Sequence, residues 1–498
     1  MMCSLILFFF VLSYSDVQDA LSTSYSYQYN QTDLTAGVTG LIESTISNLL
    51  IPSQISYNDQ TYTITSINYG AFDSNTIIHT VEIPFSVLTI HDFAFYSCVN
   101  LQNIIFDDES QLTTIGSNAF ALCSSAKGNL ILPNTIINIG SSAFQSCGFN
   151  GLLILPNTLS KINNFLFSDC VYFVGTLTIP KSVELIGAYA FRHCYYFTEL
   201  IFEETNDNLL EIQTHAFYRV HSCTNSLILP DSIKIIGENC FFACSGFSSL
   251  HLPNNLSSLG SRGFSDCFFG GDLIIPDNIT LIDEYAFYGC GGFTSLTLPE
   301  NLVHIYYSSF KGCYGFKGEL YIPSKVQKIV YECFQDCTGF DSLVIAATDL
   351  IEFGHSAFVN CKFSSVRYCG KFDISAISAF NFDDVSIVEV SDDYTFSSAG
   401  GLPIIQTAYL NIENICLSCN NLPNCISCSS SIGGCLQCSD GLGTNRENTE
   451  ECVACNENCT KCTYEDYCTE CDKHFVLIKE KCCLVIDKCE VYIGCPEA

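Results

Sequence analysis

A phenylalanine that returns about every 24 residues constrains the fold of this chain more than any other feature of its sequence. Successive members of the series are 23 to 26 residues apart. A repeat of this length is typical of a solenoid, in which no single coil can bury its own apolar side. The sequence therefore predicts about 13 stacked coils, marked by Phe72, Phe95, Phe120, Phe144, Phe167, Phe191, Phe217, Phe241, Phe264, Phe287, Phe310, Phe334 and Phe358.

Residues 177–200, LTIPKSVELIGAYAFRHCYYFTEL, show what one coil contains. Leu177 and Ile179 alternate with threonines, and this period of two predicts a short strand with one buried face. Pro180 ends the strand because proline cannot donate a hydrogen bond to a ladder. Stacking such strands predicts a parallel sheet on one face of the solenoid. The same Leu-x-Leu/Ile-Pro tetrad recurs at 130–133, 153–156, 227–230, 250–253, 273–276, 296–299 and 320–323.

A glycine slot follows the next apolar residues of the coil, as Gly187 follows Val183 and Ile186. Gly, Asn and Asp share easy access to positive φ, so a tight corner with positive φ is predicted at this slot. Its other occupants are Gly116, Gly140, Gly237, Gly260, Gly354, Asn68, Asn163 and Asp283.

The pattern from Leu177 to Phe197, Leu-x-Ile-Pro-x-x-Val-x-x-Ile-Gly-x-x-Ala-Phe-x-x-Cys-x-x-Phe, resembles the BspA-type leucine-rich repeat. Repeats of that family occur in surface proteins of bacteria and of parasitic protists such as trichomonads. The resemblance covers residues 61–364 and implies a β-rich leucine-rich-repeat solenoid. It also implies adhesion to host cells or matrix proteins, although a fold does not by itself fix a function.

Acidic residues dominate the charge of the chain, with 52 Asp and Glu against 20 Lys and Arg and a net charge of −32. This balance argues against a nucleic-acid partner, which needs a basic surface, and against docking on anionic lipid by charge alone. The sequence has no His-Glu-x-x-His motif, phosphate-binding loop or Gly-x-Ser-x-Gly elbow, and its nine histidines occupy different repeat slots. We therefore expect neither an enzyme nor a bound cofactor.

Residues 1–20 are predicted to be a secretory signal peptide. The apolar run at 5–12 has the length of its hydrophobic region and is too short to span a bilayer. No Lys or Arg precedes the run, and a buried first strand is the alternative. Residues 21–60 repeat poorly and are predicted to form an N-terminal cap. Glycosylation sequons, which matter only in a secreted chain, stand at Asn30, Asn255, Asn278 and Asn458.

Cysteine lies three residues after the phenylalanine in most coils. Stacked Cα atoms about 4.8 Å apart are within disulfide range, but parallel Cβ vectors fit disulfide geometry poorly. Val220 takes the slot in one coil, which indicates a small apolar group and favours unpaired, buried thiols. Cys223, Cys240, Cys333 and Cys369 lie outside this column, and their partners are not predicted. The column comprises Cys98, Cys123, Cys147, Cys170, Cys194, Cys244, Cys267, Cys290, Cys313, Cys337 and Cys361.

Two coils depart from the repeat where proline is expected, with the sequences FDDE at 106–109 and FEET at 202–205. Both coils are longer by one to three residues, which predicts a solvated bulge at the sheet edge. Clustered carboxylates leave calcium binding open as an alternative, although their spacing matches no known calcium loop.

The residue two before the proline slot should point away from the core, because side chains alternate along a strand. Most of these residues are β-branched. Extended solenoid faces commonly bind partners, so we predict that this face binds a protein; simple β-propensity of Ile and Thr is the alternative. The predicted face comprises Ile105, Ile131, Ile154, Thr178, Ile201, Ile228, His251, Ile274, Thr297 and Tyr321, with Glu82 and Val344 in the same register.

The repeat fades after residue 364, and residues 365–411 are predicted to be a C-terminal cap. In the segment 412–498, twelve cysteines form six Cys-x-x-Cys pairs. Zinc ribbons use such pairs, but a secreted chain favours disulfides and no metal. The spacing resembles furin-like or growth-factor-receptor cysteine-rich modules, whose disulfide connectivity the sequence leaves open. The pairs in the sequence are Cys416 and Cys419, Cys425 and Cys428, Cys435 and Cys438, Cys452 and Cys455, Cys459 and Cys462, and Cys468 and Cys471.

No stretch near the end of the sequence reaches the 18 or so apolar residues of a membrane span. We therefore expect a chain that is secreted, held at the cell surface by a partner, or incomplete. The predicted function is that of an extracellular protein-binding solenoid whose partner is a host-cell or extracellular-matrix protein. The alternative is a structural or antigenic coat component without a specific ligand.

Overall fold

The computed structural model describes residues 24–42, 45–203, 207–375, 387–390, 394–399 and 402–406, and the backbone of nine strands between 425 and 493. The described residues contain strands and turns but no helix. They form about 14 turns of a parallel β-solenoid, which confirms the predicted class of fold. The chain divides into two compact units, Met1–Gly271 with Tyr285–Gly292 and Asp272–Glu284 with Phe293–Ala498.

Five strands open the first unit: β1 (Tyr25–Asn30), β2 (Thr35–Leu41), β3 (Asn48–Leu50), β4 (Gln54–Tyr57) and β5 (Gln60–Ile67). β1 pairs with β2 and β4 with β5, both antiparallel. β2 and β5 then pair in parallel, which begins the arrangement that the later coils continue. The cap predicted at 21–60 falls on these strands, and its capping role stays a prediction.

Each following coil contributes two strands, an even-numbered strand before the proline slot and an odd-numbered strand before the glycine slot. The even-numbered strands and β3 form what we call the first ladder, and the odd-numbered strands and β5 form the second ladder. In chain order they are β6 (Thr80–Ile83), β7 (Thr89–Ile90), β8 (Asn103–Phe106), β9 (Thr114–Ile115), β10 (Leu130–Ile131), β11 (Asn138–Ile139), β12 (Leu153–Ile154), β13 (Lys161–Ile162), β14 (Gly175–Ile179), β15 (Leu185–Ile186), β16 (Phe197–Phe202), β17 (Glu211–Ile212), β18 (Leu227–Ile228), β19 (Ile235–Ile236), β20 (Leu250–His251), β21 (Ser258–Leu259), β22 (Gly271–Ile274), β23 (Leu281–Ile282), β24 (Phe293–Thr297), β25 (His304–Ile305), β26 (Gly318–Ile322), β27 (Lys328–Ile329), β28 (Phe340–Ile345) and β29 (Glu352–Phe353).

The two ladders differ in continuity. The second ladder runs through β5-β7-β9-β11 and β13-β15-β17-β19-β21 in the first unit and through β23-β25-β27-β29 in the second. The first ladder is divided into the groups β3-β6-β8, β10-β12, β14-β16 and β18-β20, followed by β22-β24 and a longer group that starts at β26. The sequence predicted a sheet on one face only, so the second ladder is a feature that the prediction missed.

Stacked phenylalanine rings run through the core of each unit. In the first unit, rings from Phe72 to Phe287 follow one another with centroids 4.9 to 5.7 Å apart and interplanar angles of at most 18°. In the second unit, Phe334 stacks on Phe310 at 5.0 Å and on Phe358 at 5.5 Å. Each of these rings is buried, which confirms that the repeated phenylalanine marks the core.

The glycine slot does not have the predicted positive φ. Within the coils, positive φ at non-glycine residues falls instead two residues before and two after the phenylalanine, as at Tyr189 and His193, both with φ of 61°. The glycines are required by close approach: a Cβ added to Gly140 would collide with the backbone nitrogen of Ser117 in the preceding coil. The Gly140 N–H donates a hydrogen bond to Ile115 O at 2.7 Å, so the slot extends the second ladder.

The cysteines of the column form no disulfide bonds, as the sequence favoured. Each thiol whose contact is resolved donates a hydrogen bond to the phenylalanine carbonyl oxygen one coil earlier, at distances from 2.9 Å for Cys170 to 3.4 Å for Cys123. Burial raises the pKa of Cys98 and of Cys361 to about 12, and that of Cys170 well above its usual value. Most coils therefore place in this slot a small side chain that can donate a hydrogen bond. Cys369, which lies outside the column, is disulfide-bonded.

The first ladder of the second unit continues beyond the coils through β30 (Ser365–Tyr368), β31 (Val388–Val390) and β33 (Leu402–Gln406), with β32 (Ser398–Ala399) antiparallel to β33. These strands lie in the predicted C-terminal cap at 365–411, which stays a prediction.

The C-terminal segment contains the nine strands described by their backbone alone, and they form three separate sheets, β34-β35, β37-β36-β38-β39 and β40-β41-β42. The predicted signal peptide at 1–20 and Asn458 lie outside the described residues. The strands are β34 (Cys425–Cys428), β35 (Cys435–Cys438), β36 (Leu442–Thr444), β37 (Cys452–Ala454), β38 (Cys459–Tyr464), β39 (Tyr467–Cys471), β40 (Phe475–Ile478), β41 (Lys481–Ile486) and β42 (Val491–Ile493).

The disulfide-rich module predicted at 412–498 is not confirmed. Of the twelve cysteines in its pairs, Cys416, Cys419 and Cys455 lie outside the described residues. The other nine stand on strands described by backbone alone, so their side chains also lie outside the description, and the predicted disulfides stay a prediction. These nine are Cys425, Cys428, Cys435, Cys438, Cys452, Cys459, Cys462, Cys468 and Cys471.

Candidate protein-binding face

The outward residues of the first ladder are mostly exposed isoleucines. We call them the aliphatic stripe. In the first unit its five isoleucines are exposed by 42 to 62%, and in the second unit Ile274 is exposed by 63%. His251 and Thr297 are also exposed, whereas Thr178 and Tyr321 are half-buried. The five isoleucines of the first unit are Ile105, Ile131, Ile154, Ile201 and Ile228.

Val344 is the exception, because it is buried and does not point into solvent as the alternation predicted. Its in-register neighbours are Tyr321 on β26 and Arg367 on β30. Two long side chains therefore flank a short one, and Arg367 is held in place by Glu389, 2.9 Å from its Nε. Leu343, Val344 and Ile345 are all buried, so the alternation of buried and exposed residues ends on this strand, and we attribute the burial of Val344 to its long neighbours.

Polar side chains two residues before the stripe hydrogen-bond to one another between coils. Ser249 Oγ lies 2.8 Å from Ser226 Oγ, and Thr176 Oγ1 lies 2.8 Å from Glu199 Oε2. In the second unit Ser295 donates to Asp272 at 2.6 Å. These polar side chains already have hydrogen-bond partners within the protein. The aliphatic stripe beside them is therefore the part of this face that a partner would cover.

Burial and acidic neighbours shape the electrostatics around Tyr321 in the second unit. Burial, and then the charges of Glu300 and Glu319, raise the pKa of Tyr321 well above its usual value. Burial first, and then Asp277, raise the pKa of Glu300 to about 6, while Lys325 opposes the shift. This part of the face therefore presents a neutral phenol beside a carboxyl that titrates near pH 6.

The first ladder opens between β8 and β10. β8 pairs with β6 and β10 with β12, but β8 and β10 do not pair. A cavity of about 550 Å³ lies there, and we call it the β8–β10 cleft. The irregular run at 106–109, predicted as a bulge, lies at this opening. Its lining comprises Ile104, Ile105, Phe106, Asp107, Asp108, Ser110, Asn129, Ile131, Pro133, Asn134 and Thr135.

The coils on either side of the cleft stay joined at other points. β9 and β11 pair in register in the second ladder. The rings of Phe120 and Phe144 stack at 5.3 Å, and Cys147 Sγ donates to Phe120 O at 3.1 Å. The opening is therefore confined to the first ladder and is held by rigid packing behind it.

A second surface, which the sequence analysis missed, lies beside the positive-φ turns of the first unit. Phe165, Tyr189 and His215 stack with successive centroids 4.6 Å apart. Arg192 lies 5.8 Å from the ring centroid of Tyr189, and its guanidinium has no ion pair among the described residues. Burial lowers the pKa of His215, although the charge of Glu238 opposes this. The sequence signal for this surface is the recurrence of an aromatic residue or His two positions before the repeated phenylalanine.

Metal binding and membrane spanning find no support in the part of the chain that the structure describes. It holds no group of three His, Cys, Asp or Glu side chains suited to a metal, including at the acidic run 106–109. Nor does it contain a long apolar helix that could cross a bilayer. Of the predicted glycosylation sites, Asn30, Asn255 and Asn278 are exposed, and their modification stays a prediction.

Comparisons with known proteins give a family and several structural likenesses. A family model described as a BspA type leucine-rich repeat region matches residues 52–174, 173–271 and 264–388. A leucine-rich repeat protein from Bacteroides ovatus is 23% identical, with a TM-score of 0.55 over 77% of this chain and 98% of that chain. A leucine rich cell surface protein from Faecalibacterium prausnitzii is 20% identical, with a TM-score of 0.42 over 69% and 93% of the two chains. The pneumococcal vaccine antigen PcpA is 16% identical, with a TM-score of 0.37 over 75% and 87%.

A search of curated proteins finds no match. At 23% identity, the likeness to the Bacteroides ovatus protein shows a shared fold and nothing beyond it. The family model carries more weight because its matches cover residues 52–388, which is more than half of the sequence. These residues comprise the coils described above, and the chain belongs to the BspA-type leucine-rich-repeat family.

Proposed function

We propose that this chain is an extracellular or cell-surface protein that adheres to a host-cell or extracellular-matrix protein through its aliphatic stripe. The observation that carries the proposal is the exposure of five isoleucines along one ladder of the first unit. Large exposed apolar patches are uncommon on soluble monomers and usually mark interaction sites. Membership of a leucine-rich-repeat family supports the same conclusion, since repeat proteins bind partners along extended faces.

The second ladder serves as an internal reference for that exposure. Its outward residues include the exposed polar Asn138, Lys161 and Ser258, together with the exposed Ile235 and Leu281. Both ladders are parallel and share the same β-propensity, yet only the first carries a row of exposed isoleucines. An interface core that is poor in charge and rich in apolar groups is what a protein partner desolvates on binding. The contrast between the ladders favours partner binding, and not β-propensity alone, as the reason for the exposed isoleucines.

The test replaces four stripe residues, Ile131, Ile154, Ile228 and Ile274, by lysine in the full chain. Their exposed side chains leave the packing of the core unchanged, so the variant should fold. We expect saturable binding to cultured host cells, or to a panel of purified matrix proteins, to weaken at least tenfold. Solid-phase binding isotherms and circular dichroism measure the two properties together.

A matched control places the same four charges on the outward positions of the second ladder, at Asn138, Ile235, Ser258 and Leu281. This control should bind as the natural chain does. If both variants lose binding equally, a general charge effect is responsible and the stripe is not the site. If the natural chain shows no saturable binding at all, the alternative of a structural or antigenic coat component is favoured.

A further inference from the structure

Resting on the proposed function, we propose that the β8–β10 cleft binds an extended segment of the protein partner as an added β-strand. The segment carries apolar side chains and, at one end, a lysine or arginine. Three features of the cleft lead to this occupant: the backbone edges that face it, the core residues that it exposes, and the carboxylates at its end.

The backbone of β8 turns half of its polar groups toward the cleft. Asn103 N donates to His79 O and Asp107 N donates to Ile83 O, each at 3.1 Å, so these residues bond to the preceding coil. Successive residues of a strand direct their backbone groups to opposite sides. The N–H and C=O groups of Ile104 and Phe106 therefore face β10.

The backbone of β10 is the mirror of this arrangement. Leu130 N donates to Leu152 O at 2.8 Å and Leu132 N donates to Ile154 O at 3.1 Å, toward the following coil. The backbone groups of Ile131 therefore face β8. Among the described residues, no backbone hydrogen bond joins the two edges. An extended peptide has the alternating donors and acceptors that such edges take up.

The cleft also exposes residues that belong to the core in other coils. Ile104 and Phe106 are half-buried, whereas their register partners on β6, Val81 and Ile83, are at most 1% exposed. Covering Ile104 and Phe106 would remove apolar surface from water, which favours an occupant with aliphatic or aromatic side chains. The volume of about 550 Å³ lies within the usual range of binding pockets.

Two carboxylates give the cleft its charge preference. Asp107 and Asp108 line the cavity and are exposed, and neither has an ion pair among the described residues. Lys127, in the next coil, is engaged by Gln102 Oε1 at 2.6 Å. A lysine or arginine on the incoming segment complements these carboxylates. The opposing interpretation is that the charges only protect a strand edge from aggregation.

The probe is an equimolar pool of labelled octapeptides in which Thr alternates with Val, Ile, Leu or Phe and two lysines end the chain at either terminus. We expect the full chain to bind this pool saturably in fluorescence anisotropy. The variant Asp107→Lys/Asp108→Lys should lose at least tenfold in affinity. The control Glu109→Lys/Glu184→Lys makes the same charge change outside the cavity lining and should lose less than twofold.

Two readouts address the strand geometry itself. A pool with alternate backbone amides N-methylated should bind at least tenfold more weakly, because its donors are removed. On binding the unmodified pool, hydrogen exchange should slow in the segments 103–107 and 128–132. Absence of binding, binding without slower exchange, or equal loss in both lysine variants overturns the proposal.

Three further outcomes separate this inference from the alternatives. Self-association of the chain that Asp107→Lys/Asp108→Lys abolishes would assign the cleft to a second copy and overturn the proposal. If the chain does not bind the peptide pool while the four-isoleucine variant still loses matrix or cell binding, the proposed function stands and binding by an added β-strand is wrong. If the chain binds the peptide pool as expected but no cell or matrix protein binds, the cleft is a peptide-binding site and the proposed adhesion is wrong.

Discussion

The two ladders of this solenoid are built from the same coils, yet one is nearly continuous and the other is divided. The slot that follows each strand also differs between the two ladders. Gly237 follows β19 in the second ladder, and its N–H donates to Ile212 O at 2.8 Å, which extends the pairing by one bond. In the first ladder, Pro230 stands two residues after the end of β18 and has no N–H to donate.

This contrast explains where a binding site can form. The second ladder requires the coils to approach so closely that a Cβ on Gly237 would lie 2.5 Å from Thr214 N. The first ladder has no such constraint and tolerates a longer coil, as at the acidic run 106–109. The β8–β10 cleft lies in the ladder whose pairing is divided.

The largest effect should come from the thiols that join coils independently of both ladders. Burial raises the pKa of Cys98 and of Cys223 to about 12. A raised folded-state pKa contributes stability that is complete below the unfolded pKa of about 9 and is lost as pH rises toward the folded value. Each such thiol should cost about 1.4 kcal/mol of unfolding free energy per pH unit above pH 9.

Urea denaturation between pH 8 and pH 11, under argon to prevent oxidation, measures this loss. The variant Cys98→Val/Cys223→Val lacks two of the titrating groups and should show a shallower decline above pH 9. An unfolding free energy that stays constant to pH 11 would mean that the ladders alone hold the coils and that the thiols are passive filler.

A smaller effect separates the ladders within a single coil. Gly237→Ala should lower the unfolding free energy by about 3 kcal/mol, because the added Cβ meets backbone that must shift. Pro230→Ala should lower it by about 1 kcal/mol or less, since proline at this slot mainly restricts the unfolded chain. Chemical denaturation of the two variants gives the comparison directly. Equal losses would show that continuity does not distinguish the ladders.

The sequence predicted the parts of this fold that depend on side-chain periodicity. The repeated phenylalanines fixed the coil, and the alternation through Leu177 and Ile179 located the first ladder. It missed the second ladder because strands of two residues, such as Leu185–Ile186, are too short for an alternation to show. It misassigned the glycine slot because close approach and positive φ both select glycine, and a sequence cannot separate them.

The candidate site was predictable in outline only. Outward residues follow from the pleat, so the exposure of Ile131 and Ile228 could be deduced from their positions. The burial of Val344 depends on the lengths of its neighbours in adjacent coils, which register alone does not reveal. The β8–β10 cleft depends on where neighbouring strands stop pairing, which the repeat pattern does not reveal.

The smallest expected effect is the one that bears most directly on function. Ile131→Lys in the first ladder and Ile235→Lys in the second should each change the unfolding free energy by less than about 0.5 kcal/mol, because both side chains are exposed. Differential scanning calorimetry of the two variants checks this. A loss for Ile131→Lys as large as that for Gly237→Ala would make the stripe part of the fold. Equal stability with unequal binding would mean that isoleucine is retained at that surface for a partner, since the strand itself does not require it.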